Sequence, residues 1–177
     1  MSEINEALRQ ELLGMMSRDQ DLRKVLSTKH GAGIPVEQDE LEQIMNLDKV
    51  HTDRLQEIIR QYGWPGRSLV GDDGAQAAWL LLQHADQVPE FQKQCLELLQ
   101  TAVLTNEASP THLAYLTDRV RCHEGKPQVY GTQGQIINGE VIIGEIEDKD
   151  HVDERRAKIG LEPLADYLNN LKRFYQK

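Results

Sequence analysis

The sequence is poor in cysteine and contains no long apolar run. Its two cysteines, Cys95 and Cys122, lie far apart and form no CxxC pair, which favours buried free thiols in a reducing compartment. The longest apolar run covers residues 77–82 and is far too short to span a bilayer. The N-terminal residues are acidic and lack the pattern of a signal peptide. We therefore expect a cytoplasmic protein that does not enter a membrane.

Clustered positive charge is also missing. The formal net charge is −9 and no run of basic residues is longer than two, so a nucleic-acid backbone would be repelled overall. The chain has no GxxxxGK[ST], GxSxG or HExxH motif, and its six histidines never pair at zinc-ligand spacing. We therefore expect no nucleic-acid partner, no catalytic metal and no cofactor.

The overall composition is that of a globular protein with a well-hydrated surface. Of the 177 residues, 39% are hydrophobic and 28% are charged. This length fits one domain with a core of ordinary size. We predict a single domain over residues 1–177, with an N-terminal helical segment at 1–35 and a core at 37–170.

Hydrophobic spacing predicts a mainly α fold, a helical bundle with one small β-hairpin. Apolar residues recur at helical spacing, and Gly and Pro residues separate the segments. Near the C-terminal third, β-branched runs flank Asn138-Gly139, which predicts a hairpin at about 134–144 with strands at 134–137 and 140–144. The predicted helices are 2–27, 37–62, 74–86, 89–105, 110–123, 150–159 and 163–175, with a loop at 63–73.

Two polar residues interrupt the apolar stripe of the predicted helix 37–62. Asp48 and His51 are one helical turn apart at the centre of that stripe, so their side chains can meet. A carboxylate beside an imidazole orients the ring and raises its basicity, which is half of a general-base arrangement. The alternative is a buried pair that only satisfies its own hydrogen bonds.

The predicted helix 74–86 ends in three polar residues, Gln83, His84 and Asp86. Polar groups that close an apolar helix need partners if they are buried. The helix C-terminus favours the cationic form of His84. We expect His84 to act as a general base, or else to cap the helix at the surface. Gln83 either contacts a substrate or serves as a structural amide.

Further candidates lie on the predicted helix 110–123 and on the loop that follows it. Arg119 is suited to bind a carboxylate or a phosphate, and the alternative is an internal salt bridge to Asp48. The loop residues offer many neutral hydrogen-bonding groups on a turn, which either bind a ligand or pin the hairpin to the helical core. The loop candidates are Gln128, Tyr130, Thr132 and Gln133, and Asp118 is a further candidate beside Arg119 on the helix.

We expect these segments to converge on one polar pocket. The leading hypothesis is a small metal-independent hydrolase or transferase acting on a polar or anionic small molecule, with Asp48 or His84 as the catalytic base. The alternative is a non-catalytic binding module whose polar residues form a structural network, or an acidic protein that masks a basic protein partner. The substrate-binding candidates are His51, Gln83, Asp118, Arg119, Gln128, Tyr130, Thr132 and Gln133.

Five sequence words resemble one bacterial family of unknown function. They are YGWPGRSLVG, AAWLLLQHAD, LAYLTDRV, YGTQ and VDERRAKIGLEPLADY, within about residues 37–170. The resemblance implies a cytoplasmic bacterial protein and supplies no reaction. In the family that these words resemble, an asparagine is usual where this chain has His51, so the resemblance argues against His51 as an essential base. The matching polar or aromatic positions are Asp48, Trp64, Gln83, His84, Asp118, Arg119, Tyr130 and Gln133.

Overall fold

The computed structural model describes residues 3–31, 33–137 and 140–175. Over these ranges the chain is mainly helical and carries a small two-stranded antiparallel sheet, which confirms the predicted fold class. Within them, no helix combines the length and the apolar character needed to cross a membrane. The elements are α1 (Glu6–Gly31), α2 (Gln38–Tyr62), α3 (Arg67–Gln83), α4 (Pro89–Leu104), α5 (Pro110–His123), β1 (Gly134–Ile137), β2 (Glu140–Ile143), α6 (Val152–Lys158) and α7 (Leu164–Tyr175).

The chain divides into two compact units, Met1–Ala108 and Ser109–Lys177. The first unit carries α1 to α4, and the second carries α5, the sheet, α6 and α7. The single domain expected from the chain length stays a prediction.

In the first unit, α1 packs against α2 and α3. Leu8 and Leu12 are buried on α1, as their helical spacing predicts. Ala77 and Ala78 are fully buried on α3, and their small side chains allow neighbouring helices to approach closely. The stripe of α2 is buried only in its central part, because Leu41 and Tyr62 near its ends are 42% and 41% exposed.

Helix α3 differs most from its prediction. The helix begins at Arg67, within the predicted loop. It can begin there because Glu107 accepts hydrogen bonds from the first backbone N–H groups. The Glu107 Oε2 accepts from Ser68 N at 2.8 Å, and the Glu107 carbonyl accepts from Arg67 N at 3.2 Å. Gly71 has φ 74° and ψ 172° and interrupts the helix with a kink. The helix ends at Gln83, before the predicted end at residue 86.

In the second unit, β1 and β2 pair antiparallel, with Gly134 opposite Ile143 and Ile137 opposite Glu140. This confirms the predicted strands, with β2 one residue shorter than expected, while the predicted Asn138-Gly139 turn lies outside the described residues. The predicted helix 150–159 is a 3₁₀ turn at Lys149–His151 followed by α6. A buried cluster of Ile146, Val152 and Leu164 joins the segment after the sheet to α6 and α7.

Candidate functional site

An imidazole and a carboxylate meet inside the first unit. His84 Nδ1 lies 2.8 Å from Asp19 Oδ1. His84 is the C-cap of α3, and its side chain is 18% exposed, whereas the Asp19 side chain is 0% exposed. A helix end and a fully buried carboxylate therefore hold one side of a ring that still reaches solvent.

Asp19 is ionised at neutral pH in spite of its burial. Burial by itself raises the pKa of this carboxyl, but hydrogen bonding and charge from His84, the charge of Arg23 and a hydrogen bond from Gln20 together lower the pKa to about 2. An ionised carboxylate can only accept hydrogen bonds, so the Nδ1 of His84 must carry the proton. In the neutral ring, the other nitrogen, Nε2, is then a proton acceptor.

Asp48 is linked to this pair through Arg23. Arg23 Nε donates to Asp19 Oδ1 at 3.1 Å, and its NH2 donates to Asp48 Oδ1 at 2.6 Å. Burial raises the pKa of Asp48, and the charge and hydrogen bond of Arg23 act in the opposite direction. The expected contact between Asp48 and His51 is absent from the hydrogen bonds of the described residues. The Asp48 carboxylate is turned to the guanidinium of α1 instead.

His51 and Gln83 are buried, each 4% exposed. Among the described residues, no group hydrogen bonds to His51 Nδ1 or to Gln83 Nε2. Burial lowers the pKa of His51, although the charge of Asp19 acts to raise it. A depressed pKa keeps this imidazole neutral in the folded protein at neutral pH. His51 therefore lies near the charged group without forming the predicted pair.

Gln92 on α4 binds the turn at the end of α3, the segment of residues 82–86 that carries His84. Its Nε2 lies 3.1 Å from Leu82 O, 3.3 Å from Gln83 O and 3.1 Å from Asp86 Oδ1. These contacts satisfy carbonyl groups at the end of α3, where the helix itself supplies no donor. Gln92 is fully buried, so the amide belongs to the packing of this turn and not to its surface.

In the second unit, Asp118 on α5 binds the backbone of the following loop. Its Oδ1 accepts from Val129 N at 2.6 Å and Tyr130 N at 3.1 Å. Its Oδ2 accepts from both Thr132 N and Thr132 Oγ1 at 2.9 Å. Asp118 is 0% exposed. Asp118 thus holds the loop against α5 through hydrogen bonds to its backbone.

Gln128 closes the same loop from within. Its Nε2 donates to Gln133 O at 3.0 Å and its Oε1 accepts from Gln133 N at 2.8 Å. Its backbone N–H donates to Glu145 O, and its carbonyl accepts from Glu147 N, each at 2.8 Å. Both Gln128 side-chain functions are therefore used by the loop itself.

Three arginines bind carbonyl groups of the loop. Arg121 Nε donates to Pro127 O at 2.5 Å and Arg155 Nε donates to Val129 O at 2.9 Å. Arg156 is 0% exposed, and its NH1 donates to Tyr130 O at 2.7 Å. The loop backbone is thus held by one carboxylate on its N–H groups and by guanidinium groups on its carbonyls.

A cavity of about 210 Å³ lies beside this loop, within the second unit. Burial raises the pKa of the Tyr115 hydroxyl at its edge, which keeps the phenol protonated. Gln133 Nε2 donates to Tyr115 O at 3.2 Å and to Thr132 Oγ1 at 3.1 Å, and this orients its carboxamide. The polar lining comprises Tyr115, Arg119, Thr132, Gln133 and Tyr167, and Val141 and Leu171 add apolar surface.

The predicted site residues therefore fall in two places. Asp48, His51, Gln83 and His84 belong to the first unit, and the candidates from Asp118 to Gln133 belong to the second. Their convergence on one pocket stays a prediction. Within the described ranges, no group of three His, Cys, Asp or Glu side chains is arranged to hold a metal ion.

The sequence predictions missed three kinds of residue. Asp19 carried a signal, because it interrupts the apolar stripe of α1 four residues after the buried Met15. Arg155 and Arg156 appeared in the sequence only as one of its longest basic runs, without a predicted role. Gln92 had no local signal, because its partners are the carbonyl groups of another helix.

Comparison with protein families assigns the chain to a family. The profile of a family of unknown function, DUF6624, matches residues 6–177, a range that includes every residue of both clusters described above. Comparison with curated proteins finds no match, and comparison with solved structures finds none either. The chain therefore belongs to DUF6624, a family of unknown function.

Proposed function

We propose that this protein is an enzyme in which His84 acts as a general base on a polar or anionic small molecule. The reaction class is hydrolysis or group transfer without a metal. The observation that carries the proposal is the 2.8 Å contact between His84 Nδ1 and the buried carboxylate of Asp19. This contact leaves Nε2 as the proton acceptor on a ring that is partly exposed.

Asp19 is a positioning residue in this proposal. Its buried charge fixes the tautomer of His84 and stabilises the imidazolium that forms when the base takes a proton. Arg23 binds both Asp19 and Asp48, so it neutralises part of the acidic charge and fixes the carboxylate orientation. Asp48 acts through Arg23 and not as the base itself.

The test is a hydrolase and transferase screen of the purified chain. The substrates are chromogenic carboxylic esters, phosphate monoesters, phosphodiesters, anilides and glycosides, each with water or a small alcohol as acceptor. We expect one class to be turned over, and His84→Gln to lower kcat/KM by about 10²–10⁴-fold. The rate of the wild-type protein should fall at acid pH, because a protonated ring cannot accept a proton.

Two variants separate a catalytic role from a structural one. Asp19→Asn should lower kcat more than it changes KM, because an amide opposite Nδ1 no longer fixes the His84 tautomer that leaves Nε2 to accept the proton. His151→Gln is the matched control, since His151 Nδ1 also lies 2.8 Å from a carboxylate, that of Asp148, but on the surface. This control should keep the wild-type rate.

Either of two results would overturn the proposal. One is a wild-type rate in folded His84→Gln on every substrate that is turned over. The other is the absence of turnover across the whole panel, which would favour a non-catalytic role. Thermal melts of each variant show whether a lost rate reflects unfolding.

The second candidate function is a non-catalytic binding module. The hydrogen bonding of Asp118 favours it, because both carboxylate oxygens are taken up by loop donors. Such a module would use a rigid, fully satisfied loop to present neighbouring groups to a small polar ligand or to a protein partner. It predicts ligand or partner binding without turnover.

A bacterial and cytoplasmic origin is part of the proposal. Its support is the resemblance of the five sequence words and the state of the two cysteines, which are both free. Cys95 is buried as expected, but Cys122 is exposed. An exposed free thiol is typical of a reducing compartment. Expression in the native host followed by fractionation tests the location.

A further inference from the structure

We propose that the cavity of the second unit binds a small organic anion, whose carboxylate or phosphate group pairs with Arg119. The inference goes beyond the proposed function and does not depend on it. It concerns one unit and needs no contribution from His84.

The size of the cavity limits the ligand. Its volume of about 210 Å³ equals the space of about seven waters at ~30 Å³ each. This lies below the range of about 300–1,000 Å³ that is typical of pockets for drug-sized ligands. The part of the ligand that the cavity encloses is therefore about the size of a single ring or a short chain with its charged group.

The charge of the lining selects an anion. Of the described residues that line the cavity, Arg119 carries a full charge and none is acidic. A guanidinium matches the two oxygens of a carboxylate or phosphate in one plane. The neighbouring Asp118 does not line the cavity, and its oxygens accept hydrogen bonds from the loop.

A second cation, Arg156, lies over the ring of Tyr167. The guanidinium carbon of Arg156 is 5.0 Å from the ring centroid of Tyr167, and Tyr167 lines the cavity. Arg156 is fully buried, and no described carboxylate pairs with it. Its NH2 has no hydrogen-bond partner among the described residues. A buried cation without a counter-charge is costly, and a bound anion would offset part of that cost.

Two carboxylates oppose this positive field. Asp118 and Glu162 both act to raise the pKa of Tyr115, while Arg156 acts to lower it. Glu162 is exposed, and its Oε2 accepts from Asn170 Nδ2 at 2.8 Å. Since neither carboxylate lines the cavity, the groups that a ligand touches remain cationic or neutral.

The remaining lining indicates a ligand with a ring or apolar body and a hydrogen-bond donor. Tyr115 and Tyr167 meet edge to face, with ring centroids 6.4 Å apart and an interplanar angle of 84°, and they form an aromatic wall. The amide nitrogen of Gln133 is used by Tyr115 O and Thr132 Oγ1. Its carboxamide oxygen receives no hydrogen bond from the described residues and is suited to accept one from a ligand hydroxyl or amine.

The experiment measures binding to the full chain by calorimetry and by amide NMR shifts. The probes are 4-hydroxybenzoate, phenyl phosphate, inorganic phosphate and, as the neutral counterpart, 4-hydroxybenzyl alcohol. We expect 4-hydroxybenzoate or phenyl phosphate to bind at least about tenfold more tightly than the alcohol. Comparing these two anions distinguishes a carboxylate from a phosphate ligand. Inorganic phosphate shows whether the organic body contributes.

Two variants locate the binding. Arg119→Met should weaken the anion at least about tenfold, and Arg173→Met, an exposed arginine of the same unit, should not. The NMR shifts should fall on loop 128–133 and on Tyr167. If Arg119→Met does not fold, the inference is tested by comparing the affinities of the anion and the alcohol for the wild-type protein.

The inference is wrong if no probe gives saturable binding, or if the alcohol binds as tightly as the anion. It is also wrong if folded Arg119→Met retains full affinity. Repeating the measurement in His84→Gln separates it from the proposed function. Unchanged anion binding together with unchanged turnover in that variant would remove the catalytic proposal alone.

Discussion

The backbone N–H and the hydroxyl of Thr132 both donate to one oxygen of Asp118, each at 2.9 Å. A single carboxylate on α5 thereby binds a residue that follows it by 14 positions. The same carboxylate also accepts hydrogen bonds from Val129 N and Tyr130 N. The loop beside the cavity therefore depends on one buried charge.

Replacing Asp118 should destabilise the protein strongly. Asp118→Asn places an amide NH2 group opposite backbone N–H donors and leaves several of them without an acceptor. We expect a loss of about 3 kcal/mol or more in the free energy of unfolding, measured by urea denaturation. Asp150→Asn, at an exposed position in the same unit, should change stability little. Equal stability of the two variants would show that the loop does not need the carboxylate.

Gly131 and Gly125 have nearly the same φ angle but different surroundings, so comparing them tests the packing around the loop. Their φ angles are 66° and 67°, so alanine is strained in the left-handed region at both positions. A Cβ on Gly131 would lie 2.8 Å from Ile146 Cδ1 and 3.1 Å from Leu164 Cδ1, whereas one on Gly125 would meet no atom within 4 Å.

Gly131→Ala should therefore cost more stability than Gly125→Ala. The difference should be about 1–2 kcal/mol, because the displaced side-chain ends belong to a buried cluster. Urea denaturation of both variants measures it directly. A difference near zero would mean that Ile146 and Leu164 repack without loss.

The charge of Asp19 should make the protein sensitive to acid. The pKa of this carboxyl is lowered from 3.8 to about 2 in the folded protein, so the unfolded chain takes up the proton first as the pH falls. The stabilisation is full above about pH 4 and is lost as the pH falls toward 2. It amounts to roughly 2 kcal/mol.

Urea unfolding between about pH 5 and pH 2 tests this contribution. Asp19→Asn should flatten the dependence of stability on pH in that range. Asp21→Asn, a neighbouring exposed position on α1, should retain the wild-type slope. A wild-type slope in Asp19→Asn would assign the acid sensitivity to other carboxylates.

His51 and His151 should respond to pH with opposite signs. Burial lowers the pKa of His51, so the unfolded chain binds the proton first, and His51 costs stability as the pH falls below 6.5. A hydrogen bond to Asp148 raises the pKa of His151. Its contribution is therefore present below 6.5 and is lost as the pH rises through the folded pKa.

His51→Leu should therefore stabilise the protein, and more so at acid pH. It replaces a buried polar ring nitrogen that has no described partner with an apolar group, which we expect to add about 1 kcal/mol. The gain should be larger at about pH 5 than at about pH 7.5. His151→Gln should show the reverse trend. A loss of stability in His51→Leu at both pH values would contradict the reasoning.

The local sequence pattern was sufficient to predict most of the helices and strands. The predictions of 37–62 and 110–123 agree with α2 (Gln38–Tyr62) and α5 (Pro110–His123) to within one residue, because helical spacing and caps are written in neighbouring residues. The prediction for α3 was wrong at its start. There the capping groups come from Glu107, 39 residues further along the chain.

The side-chain partners of the candidate site were less predictable. Asp48 was expected to meet His51 one turn away, but Arg23, 25 residues distant, takes its carboxylate. Asp118 was expected to bind a ligand, but its oxygens are used by the loop. A short spacing in the sequence shows that two side chains can meet. A charged group from another helix can still form the hydrogen bond in place of the near neighbour.

The amino-acid sequence by itself determined the helices, the two paired strands and the fact that polar residues enter apolar helix faces. Those features depend on hydrogen bonds and hydrophobic contacts between near neighbours in the chain. Only the tertiary structure decided that His84 meets Asp19, 65 residues away, and that Arg119 and Tyr167 line one cavity. Such contacts arise when helices pack, and the packing depends on the shapes of many side chains at once.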